Sequence, residues 1–391
     1  MIIRHITDSD LYKFSQQQAV WRQYPNAVGR YELAVRTKNP AFPLADIVGE
    51  IKDEIMSFEN LSLQSDEYFF VDSTMPWIKE DYLEWLSKFR FNPERDVKIG
   101  TTKDGGITVS PQGAWADNIL YEVPVLAVIE ELYCAKASGM SPEEADEEAI
   151  KRLVGKVDLL SSHPSLKFTD FGTRRRYSRR VHGAVLAYLK SHCNNLVGTS
   201  NVRFAMEFDM VAIGTMAHEF IMAHLALVDR LDQAQKRALH VWQQEYCEAL
   251  GTALTDTFTS KAFWDDFDSV LAKGFSGVRQ DSGDPFRFGI DAIEHYKRLG
   301  IDPRTKSVIF SDSLDFPKMV ELFEEFTGQI GVGFGIGTNL TNDVGLEPLS
   351  IVMKLMELNG TPLVKLSDVS GKTMGDKRMV DLVKKAYGVK S

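Results

Sequence analysis

Between residues 275 and 340, the short β-rich runs "FSGVRQ", "KSVIFS" and "QIGVGFG" alternate with the amphipathic stretches "FGIDAIEHYKRLG" and "FPKMVELFEEF". This β-α-β-α-β order restricts the fold sharply, because a strand reached through a helical crossover lies parallel to the one before it. Each run is followed by a polar loop, "DSGDP", then "DSLD", then "GTNLTND". In parallel α/β folds that edge of the sheet is where ligands bind. Upstream, residues 1–120 mix helical pieces with the strand-like "GRYELAVRT", "DVKIGTT" and "GITVSP", and "KDGG" between two β-branched runs reads as a hairpin turn. From "EVPVLAVIEELYCAKAS" onward the segments lengthen into helices, one of which opens on Ser141, Pro142 and Glu144 in capping-box order. The fold class is therefore α/β with an N-terminal α+β portion. No repeat or flexible linker marks the boundaries between them.

Composition narrows the partners. The 391 residues are 44% hydrophobic and 26% charged, enough for two or three domains with ample cores. A net charge of −10 disfavours nucleic acid and anionic membranes as partners, unless basic residues cluster locally. Cys134, Cys193 and Cys247 are odd in number and widely spaced, which fits reduced thiols better than disulfides or a zinc site. The opening "MIIRHITDSDLYKF" has no signal-peptide core, and no later stretch reaches the roughly 18 apolar residues of a membrane span. A cytoplasmic protein is the expectation.

Local basicity does occur. "FTDFGTRRRYSRR" places Arg174, Arg175, Arg176, Arg179 and Arg180 within residues 174–180. Arginine forks match phosphate or carboxylate, and Phe171 beside them suits a flat ring; an exposed basic helix start explains the same spacing. In "GFGIGTN", Gly335 and Gly337 followed by Thr338 and Asn339 suit a phosphate cradle before a helix, or simply a tight turn. "VRQDSGDPF" and "FSDSLDF" place Arg279, Asp281 and Asp312 at neighbouring strand ends, where carboxylates can hold ribose hydroxyls or Mg²⁺ through water. Asp284 and Asp315 read instead as helix caps. "GTMAHEFIMAH" (214–224) lacks the His-Glu-x-x-His of a zinc protease helix, since position 222 is Met. His218 and His224 lie roughly 240° apart around a helix, which excludes two helical metal ligands. His218 is left as a buried core residue, a general base or a nucleophile, and its spacing does not choose among these.

Taken in order, "DSDLYKF", "FTDFGTRRRYS", "GTSNVRFA", "GTMAHEF", "VRQDSGDPF", "GFGIGTNL" and "LVKLSDVSGK" resemble the bacterial nicotinate phosphoribosyltransferase family, over residues 8 to 372. The resemblance implies a type II phosphoribosyltransferase. Its fold would be an irregular β/α barrel of the quinolinate phosphoribosyltransferase kind joined to an N-terminal α+β domain. The expected division is residues 1–120 for that domain, 121–345 for the catalytic barrel, and 346–391 for a C-terminal segment packing back on the N-terminal domain. The implied reaction joins nicotinate to 5-phosphoribosyl 1-diphosphate (PRPP), with Mg²⁺ and coupled ATP hydrolysis, in NAD salvage. It also implies a homodimer with a shared site.

By the same resemblance His218 is transiently phosphorylated, and Asp281, Arg174, Arg279 and Thr338 fall at the substrate site; the loop chemistry adds Asp312 and the turn of Gly335, Gly337 and Asn339 to that site. Tyr12 is expected to reach a neighbouring subunit's site, Phe171 to stack on the pyridine ring, and Thr215 to lie near nicotinate. Glu219 is a candidate partner for the His218 imidazole, while His224 is structural. Nicotinamide phosphoribosyltransferase is the nearest alternative, quinolinate phosphoribosyltransferase a more distant one. A non-catalytic nucleotide-binding regulator would have no reason to keep Asp281 and His218 together.

Overall fold

The computed structural model describes residues 1–246, 249–369 and 373–389. Cys247, and the 370–372 end of the last motif, lie outside the described residues. The chain divides into two compact units, residues 1–214 with 336–354, and residues 215–335 with 355–391.

In the first unit β1 (Val28–Val35), β2 (Val97–Thr101) and β3 (Ile107–Ala114) form an antiparallel meander, with Val28 opposite Ala114 and Val97 opposite Pro111. The β2–β3 connection is the expected hairpin. Thr102 N–H donates to the Gly106 carbonyl at 3.0 Å, and Gly105 takes the left-handed φ of 83° that this turn demands. The helix Glu122–Ser138 is apolar on nearly every face and buried accordingly, then stops at Gly139 with φ 64°. The next helix, Pro142–Leu160, begins at the anticipated capping box. Ser141 Oγ accepts from Glu144 N–H at 3.2 Å, and the Glu144 carboxylate accepts from Ser141 N–H at 2.8 Å. Three short strands follow and pair in parallel: β4 (Phe168–Asp170), β5 (Leu196–Thr199) and β6 (Val211–Ala212).

The second unit carries β7 (Thr252–Leu254), β8 (Gly277–Gln280), β9 (Ser307–Phe310) and β10 (Gly331–Ile336), each parallel to its neighbour. The crossovers after β8 and β9 are the helices Pro285–Arg298 and Phe316–Phe326. Asp284 and Asp315 cap them, accepting from Phe286 N–H at 2.9 Å and Lys318 N–H at 2.8 Å, as their spacing indicated. Strands β11 (Ile351–Leu358) and β12 (Thr361–Pro362) pair antiparallel.

Strand order is β6-β5-β4-β10-β9-β8-β7 in a curled, parallel half-barrel sheet and β12-β11-β1-β3-β2 in the antiparallel one. The expected mixed α/β class with an irregular barrel is the observed architecture. Among the described residues, no helix is long and apolar enough to cross a membrane.

One buried ion pair anchors the start of the first unit. Arg176 donates from both terminal nitrogens to Asp8, at 2.6 and 2.9 Å, and Asn201 Nδ2 donates to the same carboxylate at 2.8 Å. Burial pushes the Asp8 carboxyl up, but Arg176, helped by Asn201 and Arg179, outweighs it and holds the group down at about 2. The folded-state value lies below the unfolded 3.8, so the contribution is full above that pH and is lost as pH falls toward 2. Asp8→Asn strands the arginine charge in the core. Urea unfolding followed by circular dichroism at neutral pH is expected to show a loss of about 3–5 kcal/mol, and an unchanged midpoint would refute the anchoring role.

Candidate functional site

The chemistry-bearing residues of the second unit sit where consecutive parallel strands end. Asp256 follows β7, Asp281 follows β8, and Ser311 and Asp312 follow β9. His218 comes from the helix His218–Ala223, entered through the extended residues 214–217. That entry needs glycine at 214, where a Cβ would stand 2.9 Å from the Tyr12 nitrogen.

His218 Nε2 lies 2.8 Å from Asp256 Oδ1, 2.9 Å from Lys365 Nζ and 3.5 Å from Asp281 Oδ2. Asp256 is fully engaged, since its Oδ2 accepts from Lys365 Nζ at 2.8 Å and from Ser282 Oγ at 2.8 Å. Lys365 is held by backbone pairing with Met374, and the adjacent Leu366 N–H donates to the Thr257 carbonyl at 2.9 Å. Burial, followed by the Lys365 ammonium, pushes the His218 imidazole down to about 4. The ring is therefore neutral at physiological pH. Burial raises the Asp256 carboxyl, yet the His218 ring and Lys365 more than reverse this and hold it well below the usual range.

Nε2 faces two carboxylate acceptors and, at 2.9 Å, the Lys365 ammonium as a donor, so its role depends on the tautomer; with the proton on Nε2 and donated to Asp256, the lone pair lies on Nδ1. The arrangement has the logic of a nucleophile oriented by an acid. The imidazole's carboxylate is thus Asp256, and the expected partnership with Glu219 is replaced. Glu219 is the next residue along a helix, so its side chain is turned about 100° away from that of His218. His224 is structural as anticipated: buried, with Nδ1–H donated to the Phe220 carbonyl at 2.7 Å.

Asp281 is partly exposed and accepts from Ser311 Oγ at 3.1 Å. Arg279, on β8, has a buried Nε with no hydrogen-bond partner, and no carboxylate pairs with its guanidinium among the described residues. A half-buried guanidinium of that kind suits an anionic ligand. Asp312 accepts from Ser313 Oγ at 3.1 Å beside Asp281's partner Ser311. Ligand atoms of His218, Asp256 and Asp281 all lie within 4.8 Å of one another. The Lys365 ammonium on Asp256 already supplies the positive charge a metal would bring there.

The first unit holds the remaining expected residues. Phe171 follows β4, and its N–H donates to the Ile336 carbonyl at 2.8 Å. The turn at Gly337, Thr338 and Asn339 enters the short helix Thr338–Thr341. These two loops are stitched together: Thr341 Oγ1 donates to the Gly172 carbonyl at 2.9 Å, and a Cβ on Gly172 would come within 2.2 Å of the Thr341 side chain. Lys156 reaches the turn, bonding the Asn339 carbonyl and pairing with Asp343 at 2.7 Å.

The arginine cluster separates by role. Arg176 is locked on Asp8; Arg179 pairs with Glu207 and Arg180 with Glu143 and Asp146. Arg174 is 41% exposed, 5.9 Å from the centre of the Tyr12 ring, with Glu122 at 3.6 Å and Asp10 at 3.9 Å. Arg175 is half-buried near Glu130, and burial followed by Arg174 lowers its pKa.

Asp256, Lys365, Ser282 and Lys156 escaped the sequence reading. Asp256 repeats the strand-then-acid pattern of Asp281 and Asp312, but β7 is only three residues long and gives little periodic signal. Lys365 stands inside "LVKLSDVSGK" without a spacing that marks it.

The chain is similar to known proteins over nearly its whole length. A model of the nicotinate phosphoribosyltransferase family matches residues 166–391, and a model of that family's N-terminal domain matches residues 7–130. Nicotinate phosphoribosyltransferases of Photorhabdus laumondii and Ectopseudomonas mendocina are 40% and 42% identical, each over 99% of this chain and 96% and 97% of the relative. Among solved structures, the Vibrio cholerae nicotinate phosphoribosyltransferase superposes with a TM-score of 0.94 at 39% identity, covering 100% of this chain and 95% of that one. The Porphyromonas gingivalis protein of the same name gives 0.92 at 37%, covering 99% and 100%.

The depressed imidazole is directly measurable. In long-range ¹H–¹⁵N spectra, the His218 ring nitrogens are expected to keep neutral-state shifts from pH 8 down to about 5, below the ordinary transition near 6.5. A midpoint at or above 6.5 would overturn the stated balance of burial and charge.

Proposed function

This chain belongs to the nicotinate phosphoribosyltransferase family, and we propose that it transfers the phosphoribosyl group of PRPP to the ring nitrogen of nicotinate, releasing pyrophosphate. We propose further that ATP hydrolysis is coupled to this transfer through transient phosphorylation of His218. The observation that carries the coupling is the neutral imidazole fixed by Asp256, with Lys365 and Asp281 beside it.

The nicotinate nitrogen is itself the nucleophile. Its lone pair forms the bond to the anomeric carbon as the bond to the pyrophosphate oxygen breaks, so the protein mainly orients the two reactants. Charge develops at the ribose, and the open carboxylate of Asp281 is suited to stabilise an oxocarbenium-like centre. The unpartnered Arg279 cation matches a carboxylate or phosphate, which favours nicotinate over the neutral nicotinamide. Phe171 is assigned to the pyridine face, Thr215 to its edge, and Arg174 to substrate anions. The Gly335 to Asn339 turn, with Thr338 and nearby Lys156, is assigned to the 5′-phosphate. Mg²⁺ arrives with PRPP and ATP, and Asp281 and Asp312 are the carboxylates available to hold its waters. A homodimer in which Tyr12 serves the neighbouring subunit's site completes the reading.

For the coupling step, Nδ1 of His218 attacks the γ-phosphorus of ATP as the bond to the ADP oxygen breaks. The ring becomes cationic, and Asp256 stabilises it through Nε2–H as the third member of a triad stabilises an imidazolium. The phosphoryl group adds roughly two negative charges beside the substrate anions, so its presence or hydrolysis changes substrate affinity.

Incubation with nicotinate, PRPP and Mg²⁺, with and without ATP, is expected to yield nicotinate mononucleotide faster with ATP, along with acid-labile phosphate on the protein. His218→Ala should lose the ATP stimulation and the label while retaining slow transfer; equal loss of both activities would refute that division of labour. Arg279→Ala is expected to raise the KM for nicotinate about ten-fold or more, the cost of removing a charged partner, with the KM for ATP little changed. Unaltered nicotinate kinetics would remove Arg279 from the site.

A further inference from the structure

Glu130 lies in the middle of the apolar helix Glu122–Ser138, completely buried, where a carboxyl group is costly unless it is used. One of its oxygens gathers three donors. Oε1 accepts from Asn342 Nδ2 at 2.9 Å, from Leu349 N–H at 3.0 Å and from Cys134 Sγ at 3.5 Å. Oε2 is buried with no hydrogen-bond partner. The Asn342 amide also donates to the Arg175 carbonyl at 3.0 Å. Its backbone N–H closes the short helix by donating to the Thr338 carbonyl at 2.9 Å.

The side chains Glu130 and Asn342 therefore join four stretches: the helix 122–138, the loop carrying Arg174 and Arg175, the turn that ends at residue 342, and the backbone at Leu349. We propose that Glu130 is a positioning residue for the phosphoribosyl substrate, holding the turn after β10 against the arginine-bearing loop without touching the ligand itself. This rests on the assignment of that turn to the 5′-phosphate.

The acid, rather than an amide, fits its neighbours. A glutamine oxygen can accept from Asn342 and Leu349, but its NH₂ would then lie where Oε2 has no acceptor. The carboxylate also offsets Arg175, which Arg174 and Arg36 repel. Burial raises the Glu130 carboxyl to about 7. The titratable and charged groups facing it are Cys134 of its own helix and Arg175 of the loop. Burial keeps Cys134 protonated, and Arg175 stays charged. Ionisation of Glu130 is thus the change that tightens the clamp near neutrality.

The test is a kinetic comparison of whole-chain variants. Glu130→Ala and Asn342→Ala are each expected to raise the KM for PRPP about ten-fold while kcat and the KM for nicotinate move less than about three-fold. The double variant should be no worse than either single one, because both cut the same link. Glu130→Gln is the conservative control. Its PRPP KM should match the wild type near pH 6, where the native acid is largely neutral, and exceed it increasingly toward about pH 8. That ratio decides the matter if the alanine variants do not fold.

A ratio constant with pH, or kcat and both KM values shifting together, would overturn the proposal. Thr338→Ala and Asn339→Ala separate the two layers of inference. If they leave the PRPP KM alone, the phosphate assignment fails. If they raise it while Glu130→Ala and Asn342→Ala do not, the positioning role fails.

Discussion

A strand that follows a helical crossover must run parallel to the one before it, and this constraint places the chemistry of the second unit. With β7, β8, β9 and β10 all pointing one way, the residues just beyond each of them share an edge of the sheet. Asp256, Asp281 and Asp312 occupy three of those positions, so Asp256 and Asp281 converge on His218 although 25 residues separate them in sequence. Loops held by capped helices and strand ends form rigid positions for polar groups, which a site of this kind requires. Asp284 and Asp315 serve that rigidity, since each fixes the start of the helix leaving the loop.

Burial sets what those groups do. Asp8, Glu122, Asp256 and Glu130 are all carboxyls removed from water, yet they differ in their counter-charges. Asp8 has a bidentate arginine, and Glu122 has the Lys13 ammonium at 2.5 Å, so both are held near 2 despite burial. Glu130 has neutral donors and a more distant arginine, so burial prevails and its pKa stays about 7. The first two behave as fixed structural anions, whereas Glu130 stands where a small environmental change alters its charge. The arginine cluster follows the same rule in reverse. Arg176 has an acid at 2.6 Å and serves the fold, while Arg174 is 41% exposed, with Glu122 at 3.6 Å and Asp10 at 3.9 Å.

Legibility in the sequence followed the range of the interaction. The β/α alternation, the hairpin at 102–106, the capping box at Ser141 and the caps Asp284 and Asp315 are all decided within a few residues, and the sequence displays them directly. The partners of His218 are not local. Asp256 lies 38 residues away and Lys365 lies 147 residues away, and no period or composition links such positions. Glu219 was the nearest acid in sequence, but adjacency along a helix points side chains apart. Glu130 was hidden for a different reason: one of three acids in an apolar helix, beside Glu122 and Glu131, it looks like any helix residue until the donors on Asn342 and Leu349 are found against it. The family motifs marked several loops as important without stating which contacts each residue makes.

The surroundings of His218 bear on how phosphorylation would carry energy. Burial and Lys365 disfavour a positive imidazole, so the resting ring is neutral, and in the tautomer that donates Nε2–H to Asp256 its Nδ1 lone pair is available. A phosphorylated ring, however, is cationic, and burial penalises it just as it penalises the imidazolium. Asp256 offsets part of that penalty through Nε2–H, and the new phosphate supplies further negative charge, but the modified residue remains less comfortable than the free one. Under the proposed coupling, the phosphohistidine is therefore formed readily enough to turn over and is still poised to release its phosphate. A solvent-exposed histidine would lack the burial penalty, and a buried one without Asp256 would resist the first step. Under the proposed coupling, these two opposing effects together would let one imidazole accept a phosphate and later give it up.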